Sequence, residues 1–269
     1  MTLNLNSELA ILECSGSDAA TYLQGQLSND IRELNNKPWQ FSAHLSNKGR
    51  TLATFIITQH QENSYYLITN KDVADKILPR LKMYILRSKV TLAISAKSIY
   101  LNDTQIDGGH NLQLSADKYL TISENLPEST IDSNAWHKFL VENALPMIYL
   151  ESIEKIIPQQ INYDLIGGIN FKKGCYTGQE IVARTHYLGK VKRRMAKFTT
   201  NTQPQVGQSV VSPLMDNQEV GVIIDCYQDG QNHYGLVSLQ NNCLDSAYLD
   251  TDNQQKLTCT TLIDESTGA

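Results

Sequence analysis

The run Asn170-Phe171-Lys172-Lys173-Gly174-Cys175-Tyr176-Thr177-Gly178-Gln179-Glu180 carries the most unusual chemistry of the chain. A glycine on either side of Cys175-Tyr176-Thr177 permits φ > 0 or a close backbone approach. Thr177 with Glu180 three residues on reads as a capping box, which predicts a helix through Ile181, Val182, Ala183 and Arg184. Cys175 then stands just outside a helix N-terminus, beside Lys172 and Lys173. Both features favour a thiolate, so Cys175 is the candidate reactive thiol. The same residues also read as a tight connection whose cysteine merely packs. His186 lies eleven residues on, and no His-Asp pairing marks a protease-like triad.

Between residues 172 and 197 the charge is one-sided. Lys172, Lys173, Arg184, Lys190, Lys192, Arg193, Arg194 and Lys197 face a single acid, Glu180. Such a run suits phosphates, a polyglutamate tail or an RNA backbone, and equally a solvated face. Trp136 sits in a predicted helix with Phe139 and Leu140 on its face. It reads either as core or as a platform for a flat aromatic ligand.

The elements that must position these residues are mixed. Strands are expected at Leu9–Leu12, Trp39–Leu45, Thr51–Thr58 and Tyr65–Thr69, with a turn at Asn47-Lys48-Gly49. Ser17 is expected to cap a helix from Asp18, Asn70 a helix carrying Val73, Ile77, Leu81 and Ile85, and Ser133 a helix over Asn134–Ala144. Val90, Leu92 and Ile94 alternate as a strand, and a hairpin is expected around Ala116-Asp117-Lys118. From Val191 onward short strands predict a small antiparallel barrel. Together these are an α+β fold with helices on one face of a sheet.

The 269 residues carry a net charge of −5, with 41% apolar and 19% charged residues. That excludes a disordered chain and a protein coated by nucleic acid, but not a local basic patch. Five cysteines with no CxxC spacing argue against a disulfide framework or zinc ribbon. Six scattered histidines give no expected metal site, and neither dinucleotide, P-loop, HExxH nor GxSxG motifs occur. No signal or membrane segment is read, so a cytoplasmic protein with no membrane partner is expected.

The stretch Lys173-Gly174-Cys175-Tyr176-Thr177-Gly178-Gln179-Glu180, followed by Arg184, resembles the K-G-C-Y-T-G-Q-E-x-x-x-R signature of the YgfZ family. These are folate-binding proteins related to the aminomethyltransferase of the glycine cleavage system. Further segments agree in order: Tyr22 through Gln24-Gly25-Gln26-Leu27-Ser28-Asn29-Asp30, His44 to Lys48-Gly49-Arg50, Trp136 through Glu142 to Pro146, and Leu165-Ile166-Gly167-Gly168-Ile169. The resemblance implies a three-part ring with split ferredoxin-like sheets and a C-terminal β-barrel, divided here at 1–100, 101–190 and 191–269. It implies tetrahydrofolate as ligand, contacted by Trp136 and by the motif residues Lys173, Tyr176, Gln179, Glu180 and Arg184. Leu9 is a further residue of that folate site by resemblance, at a position where some relatives place an aromatic. It further implies a role beside iron–sulfur enzymes, including one that methylthiolates tRNA, with the enzymes as transient partners and tRNA as an indirect one. True aminomethyltransferases carry acids just after the glycine of the corresponding hairpin. Here Gly49–Phe55 has no carboxylate, which argues against one-carbon transfer. A folate-dependent transferase and a direct tRNA-binding module are the alternative readings. No second cysteine stands at cluster-ligand spacing, so no stable cluster is expected on this chain alone.

Overall fold

The computed structural model describes residues 2–124, 128–249 and 255–263. Its centre is a five-stranded antiparallel sheet of β2 (Leu9–Ser15), β3 (Gln40–Leu45), β4 (Thr51–Gln61), β5 (Ser64–Asn70) and β6 (Thr91–Ile94), in the order β3-β4-β5-β2-β6. The period of two divides its side chains between two cores. Leu12, Cys14, Phe55, Ile57, Tyr65 and Leu67 join one cluster, and Leu9, Ile11, Ile56, Tyr66 and Ile68 the other. With both faces covered, β5 is buried along its whole length.

The first face carries α1 (Ala19–Gln26) and α2 (Lys71–Met83), through Ala19, Tyr22 and Leu23 and through Val73, Ala74, Ile77 and Leu81. Asn70 caps α2 as expected, its Oδ1 accepting from the Asp72 and Val73 amides. The cap of α1 falls at Asp18 rather than Ser17, without a side-chain hydrogen bond. The Asp18 carboxylate instead accepts from the Lys89 amide at 2.7 Å, a tertiary contact that outweighs local capping.

The second face carries a four-stranded sheet and α3. The strands are β1 (Thr2–Asn4), β7 (Ser98–Asn102), β8 (His110–Ser115) and β9 (Lys118–Ser123), in the order β1-β7-β9-β8. The N-terminal strand thus pairs with residues about a hundred positions away. Helix α3 (Ser133–Glu142) starts one residue earlier than expected, because Asp132 rather than Ser133 caps it.

Past a long irregular stretch and α4 (Gln179–Tyr187) comes a half-barrel of six antiparallel strands. These are β10 (Arg193–Thr200), β11 (Ser209–Ser212), β12 (Gln218–Asp229), β13 (Asn232–Gln240), β14 (Tyr248–Leu249) and β15 (Thr258–Thr261). Ala196, Phe198, Ile223 and Val237 fill its own core, while Met195, Val222, Ile224 and Leu236 face the central body. The alternation expected of a barrel therefore seals it against the rest of the chain. Among the described residues, no helix is long and apolar enough to cross a membrane.

Candidate functional site

Four of the five marked segments, all but Trp136–Pro146, meet in one place, and backbone hydrogen bonding explains why. Helix α1 ends at Gln26 with carbonyls that have no partner inside the helix. His44 Nδ1 lies 2.9 Å from the Gln26 carbonyl, an acceptor, so Nδ1 carries the hydrogen. Burial holds the His44 imidazolium off, with a pKa near 4. Lys173 supplies the remaining cap. Its buried ammonium donates to the carbonyls of Gln24 at 2.8 Å, Leu27 at 2.5 Å and Asn29 at 2.9 Å. A cation at a helix C-terminus also meets the negative end of the macrodipole. Burial pulls the Lys173 pKa down to about 8, so the ammonium remains mostly charged at neutral pH.

The Gly167-Gly168 segment closes the same knot. Asn29 Nδ2 donates to the Gly167 carbonyl at 2.8 Å, and Ser28 Oγ to the Gly168 carbonyl at 2.6 Å. A Cβ on Gly168 would lie 2.3 Å from the Tyr163 ring. The Asn47-Lys48-Gly49 turn completes it. Gly178 has φ +80°, and a Cβ there would meet the Ser46 carbonyl oxygen at 2.4 Å. A Cβ on Gly49 would meet Ile181 at 2.7 Å. Helix α4 is thus seated directly on the β3–β4 turn. The expected Thr177 capping box does not form: Gly178 is the cap residue, with no side-chain cap. The left-handed backbone that lets Gly178 approach Ser46 displaces the role assigned to Thr177.

Cys175 is consequently presented to solvent. Lys173 and Tyr176 on either side are buried, with the ammonium 5.0 Å from the tyrosine ring centroid, while Gly174 and Cys175 are exposed. The Lys173 ammonium is committed to the three carbonyls rather than to the thiol. Cys14 and Cys243 are buried. Burial pushes the Cys14, Cys226 and Cys259 thiols up to about 12. Cys175 is the exposed thiol among the five.

The other sequence-marked residues divide. Gln179 is half-buried at the start of α4, and Glu180 and Arg184 are exposed along it. Trp136 and Leu9 lie in the second core, on the opposite face of the central sheet from Tyr176. Trp136 is fully buried, stacked on Phe139 at 5.7 Å. A cavity of about 20 Å³ adjoins it, walled by Phe41, Phe55, Leu140, Met147 and Tyr163 among others. The indole Nε1 is buried without a protein acceptor.

One cluster carries no sequence signal, because its members come from distant parts of the chain. His137 Nδ1 donates to Asp225 Oδ1 at 2.7 Å, and the Tyr149 hydroxyl to Asp225 Oδ2 at 2.7 Å. Glu8 lies 3.7 Å from His137 Nε2. Burial alone would lower the His137 pKa. The Asp225 hydrogen bond and charge, with the Glu8 charge, outweigh it and raise the pKa above 6.5. This tie joins the central sheet's entry, α3 and the half-barrel. Its contribution is complete below the unfolded-state value and fades as pH rises through the elevated folded value. The melting temperature is therefore expected to fall on raising pH from about 6.5, with the slope flattened in His137→Gln. Equal slopes in the two proteins would remove His137 as the cause.

No family profile matches the chain. It is 30% identical to a tRNA-modifying protein YgfZ of Aliivibrio fischeri, with 95% of this chain and 92% of the relative covered. It is 32% identical to the protein of that name from Photobacterium profundum, over 91% and 84% of the two chains. An uncharacterized Haemophilus influenzae protein is 31% identical, over 89% of each chain. The fold matches a glycine cleavage system aminomethyltransferase T from Bartonella henselae with a TM-score of 0.66. That match has 11% identity and covers 95% of this chain and 83% of the other. The knot built by Lys173, Gly178, Gly49 and Gly168 explains which positions the resemblance rests on, and the chain belongs to the YgfZ family, on the aminomethyltransferase fold.

Proposed function

We propose that the protein is a tetrahydrofolate-binding accessory protein that supports iron–sulfur enzymes, including those that methylthiolate tRNA, in the cytoplasm. The observation that carries this reading is the presentation of Cys175. Two buried neighbours, a lysine cage and a glycine-fitted helix seat hold one small loop so that a single thiol faces outward. A core cysteine needs no such scaffold. An exposed thiol on a rigid loop suits transient ligation or reversible oxidation during contact with a client enzyme. Transfer RNA is reached through those clients, and the relatives' name, tRNA-modifying protein, supports that context.

The folate part of the reading rests on Trp136. The wall chemistry suits a pterin: apolar and aromatic side chains, with one unpartnered N–H to meet a ring acceptor. The volume does not. Pockets for ligands of this class measure about 300 Å³ or more, against about 20 Å³ here, so entry requires α3 and the Leu145–Met147 segment to move apart. Lys173, Tyr176, Gln179, Glu180 and Arg184 belong to the α4 side, and of these Arg184 is the exposed cation suited to a glutamate tail. One-carbon transfer is disfavoured. The walls beside Trp136 hold no carboxylate or imidazole, and Thr51 and Thr54 occupy the start of β4.

The test is complementation of a strain lacking the family member. Cys175→Ala, expressed at wild-type level, is expected to leave tRNA methylthiolation at the level of the empty strain. Full restoration by Cys175→Ala would refute the thiol's role.

A further inference from the structure

A second cavity holds neither Cys175 nor Trp136 but takes in Phe171, His186 and part of the basic run. It is a cleft of about 1140 Å³ between the C-terminal end of α4 and the half-barrel strands β10 and β13. Among the described residues its charged lining is Lys190, Lys192 and Arg194 against one acid, Asp164. Asp164 is already neutralised by Arg194 at 2.7 Å, a pair that braces the floor. Lys190 and Lys192 are exposed, and neither forms an ion pair with a described residue. In a chain of net −5 this concentrates positive charge at one mouth.

Phe171 and His186 line the cleft beside these lysines, and Tyr187 adjoins those two rings from outside the lining. Phe171 and His186 stack face to face at 3.7 Å and 12°, and Tyr187 stands edge-on to both, at 6.3 Å and 4.7 Å. Tyr187 is 63% exposed and Leu188 84% exposed. Phe171 is half-buried against the main core, whereas His186 and Tyr187 are open to water. The lining also carries the neutral polar residues Gln240, Asn241 and Asn242, the last two exposed, with Asn241 Nδ2 donating to the Val191 carbonyl at 3.2 Å. Flat stacking faces, an adjacent pair of free cations and amide groups able to meet base edges are the three elements of single-strand recognition. An acidic peptide would use the cations but leave the stacked rings idle. A duplex would use the cations but keep its bases out of reach.

We propose that this cleft binds a single-stranded RNA segment, with a base stacked on the Tyr187–His186 rim and phosphates at Lys190 and Lys192. The inference is independent of the folate reading and adds a direct RNA contact to it.

The experiment is fluorescence anisotropy of the full chain with a labelled single-stranded RNA of about ten nucleotides, titrated at several salt concentrations from about 50 mM. Three proteins are compared: wild type, Lys190→Gln/Lys192→Gln, and Tyr187→Ala. All three changes are at exposed positions, and circular dichroism checks that each variant folds. Saturable binding is expected for wild type. The double lysine variant should reduce the slope of log affinity against log salt by about 1.4, from two lost phosphate contacts. Tyr187→Ala should weaken binding about fivefold or more while leaving the salt slope intact. Three results would overturn the proposal: no saturable binding at the lowest salt, equal binding by all three proteins, or polyglutamate or duplex RNA competing as well as the single strand.

Discussion

Lys173→Met is expected to lower the melting temperature by about 6–12 °C. The side chain is buried, and its ammonium meets three backbone carbonyls, those of Gln24, Leu27 and Asn29. Removing it leaves buried acceptors at about 1–3 kcal/mol each. The relief of no longer burying a charge offsets part of that, leaving a net cost of about 3 kcal/mol. At about 2–4 °C per kcal/mol for a chain of this size, the shift follows. Lys173→Arg should not rescue it, because a planar fork cannot point at three acceptors grouped around one atom. Thermal unfolding at neutral pH gives the answer. A variant that melts like wild type but fails to support client enzymes would make the ammonium a ligand contact rather than a helix cap.

That result bears on what the motif is for. Read along the chain, Lys173 resembles a cation placed to activate the neighbouring thiol. In space it serves a helix end 149 residues away. The four converging segments are legible because their residue types are unusual, and the strands of the central sheet, the 116–118 hairpin and the longer half-barrel strands because alternation and turn residues are local signals; β1, β7, β14 and β15 are too short or too irregular to carry one. That the segments converge is not legible, since convergence depends on long-range pairing. The capping box at Thr177 failed for the same reason: a local rule met a stronger tertiary one, the contact of Gly178 with Ser46. The basic run shows the limit most clearly. Eight cations look equivalent in sequence. The fold assigns Lys173 to carbonyls, Arg193 to Glu219, Arg194 to Asp164 and Lys197 to the Glu142 carbonyl. Lys172 and Arg184 stay exposed, and Lys190 and Lys192 face a cleft beside the stacked rings of Phe171 and His186, a pairing that spacing does not show.

Trp136 divides the folate reading from a purely structural one, and its two substitutions separate stability from binding. Trp136→Ala removes a fully buried indole from a core shared by Leu9, Phe139 and Leu140. It is expected to cost about 3–5 kcal/mol, enough that loss of binding in this variant alone would be uninformative. Trp136→Phe keeps an aromatic against Phe139 but replaces the fused indole by a single six-membered ring and so removes the unpartnered Nε1–H. It should fold with a smaller loss, because Nε1 has no protein acceptor to forfeit. Reduced tetrahydrofolate is then titrated calorimetrically into wild type and Trp136→Phe under anaerobic conditions. Saturable binding to wild type, weakened about fivefold or more in Trp136→Phe by the lost hydrogen bond, would place the pterin at this indole. It would also require the small cavity to open, which hydrogen exchange across α3 would register as faster opening without ligand than with it. Equal affinity in the two proteins would make Trp136 a core residue. The folate contacts would then belong on the α4 side of the sheet, where Gln179 and Arg184 stand beside the presented thiol.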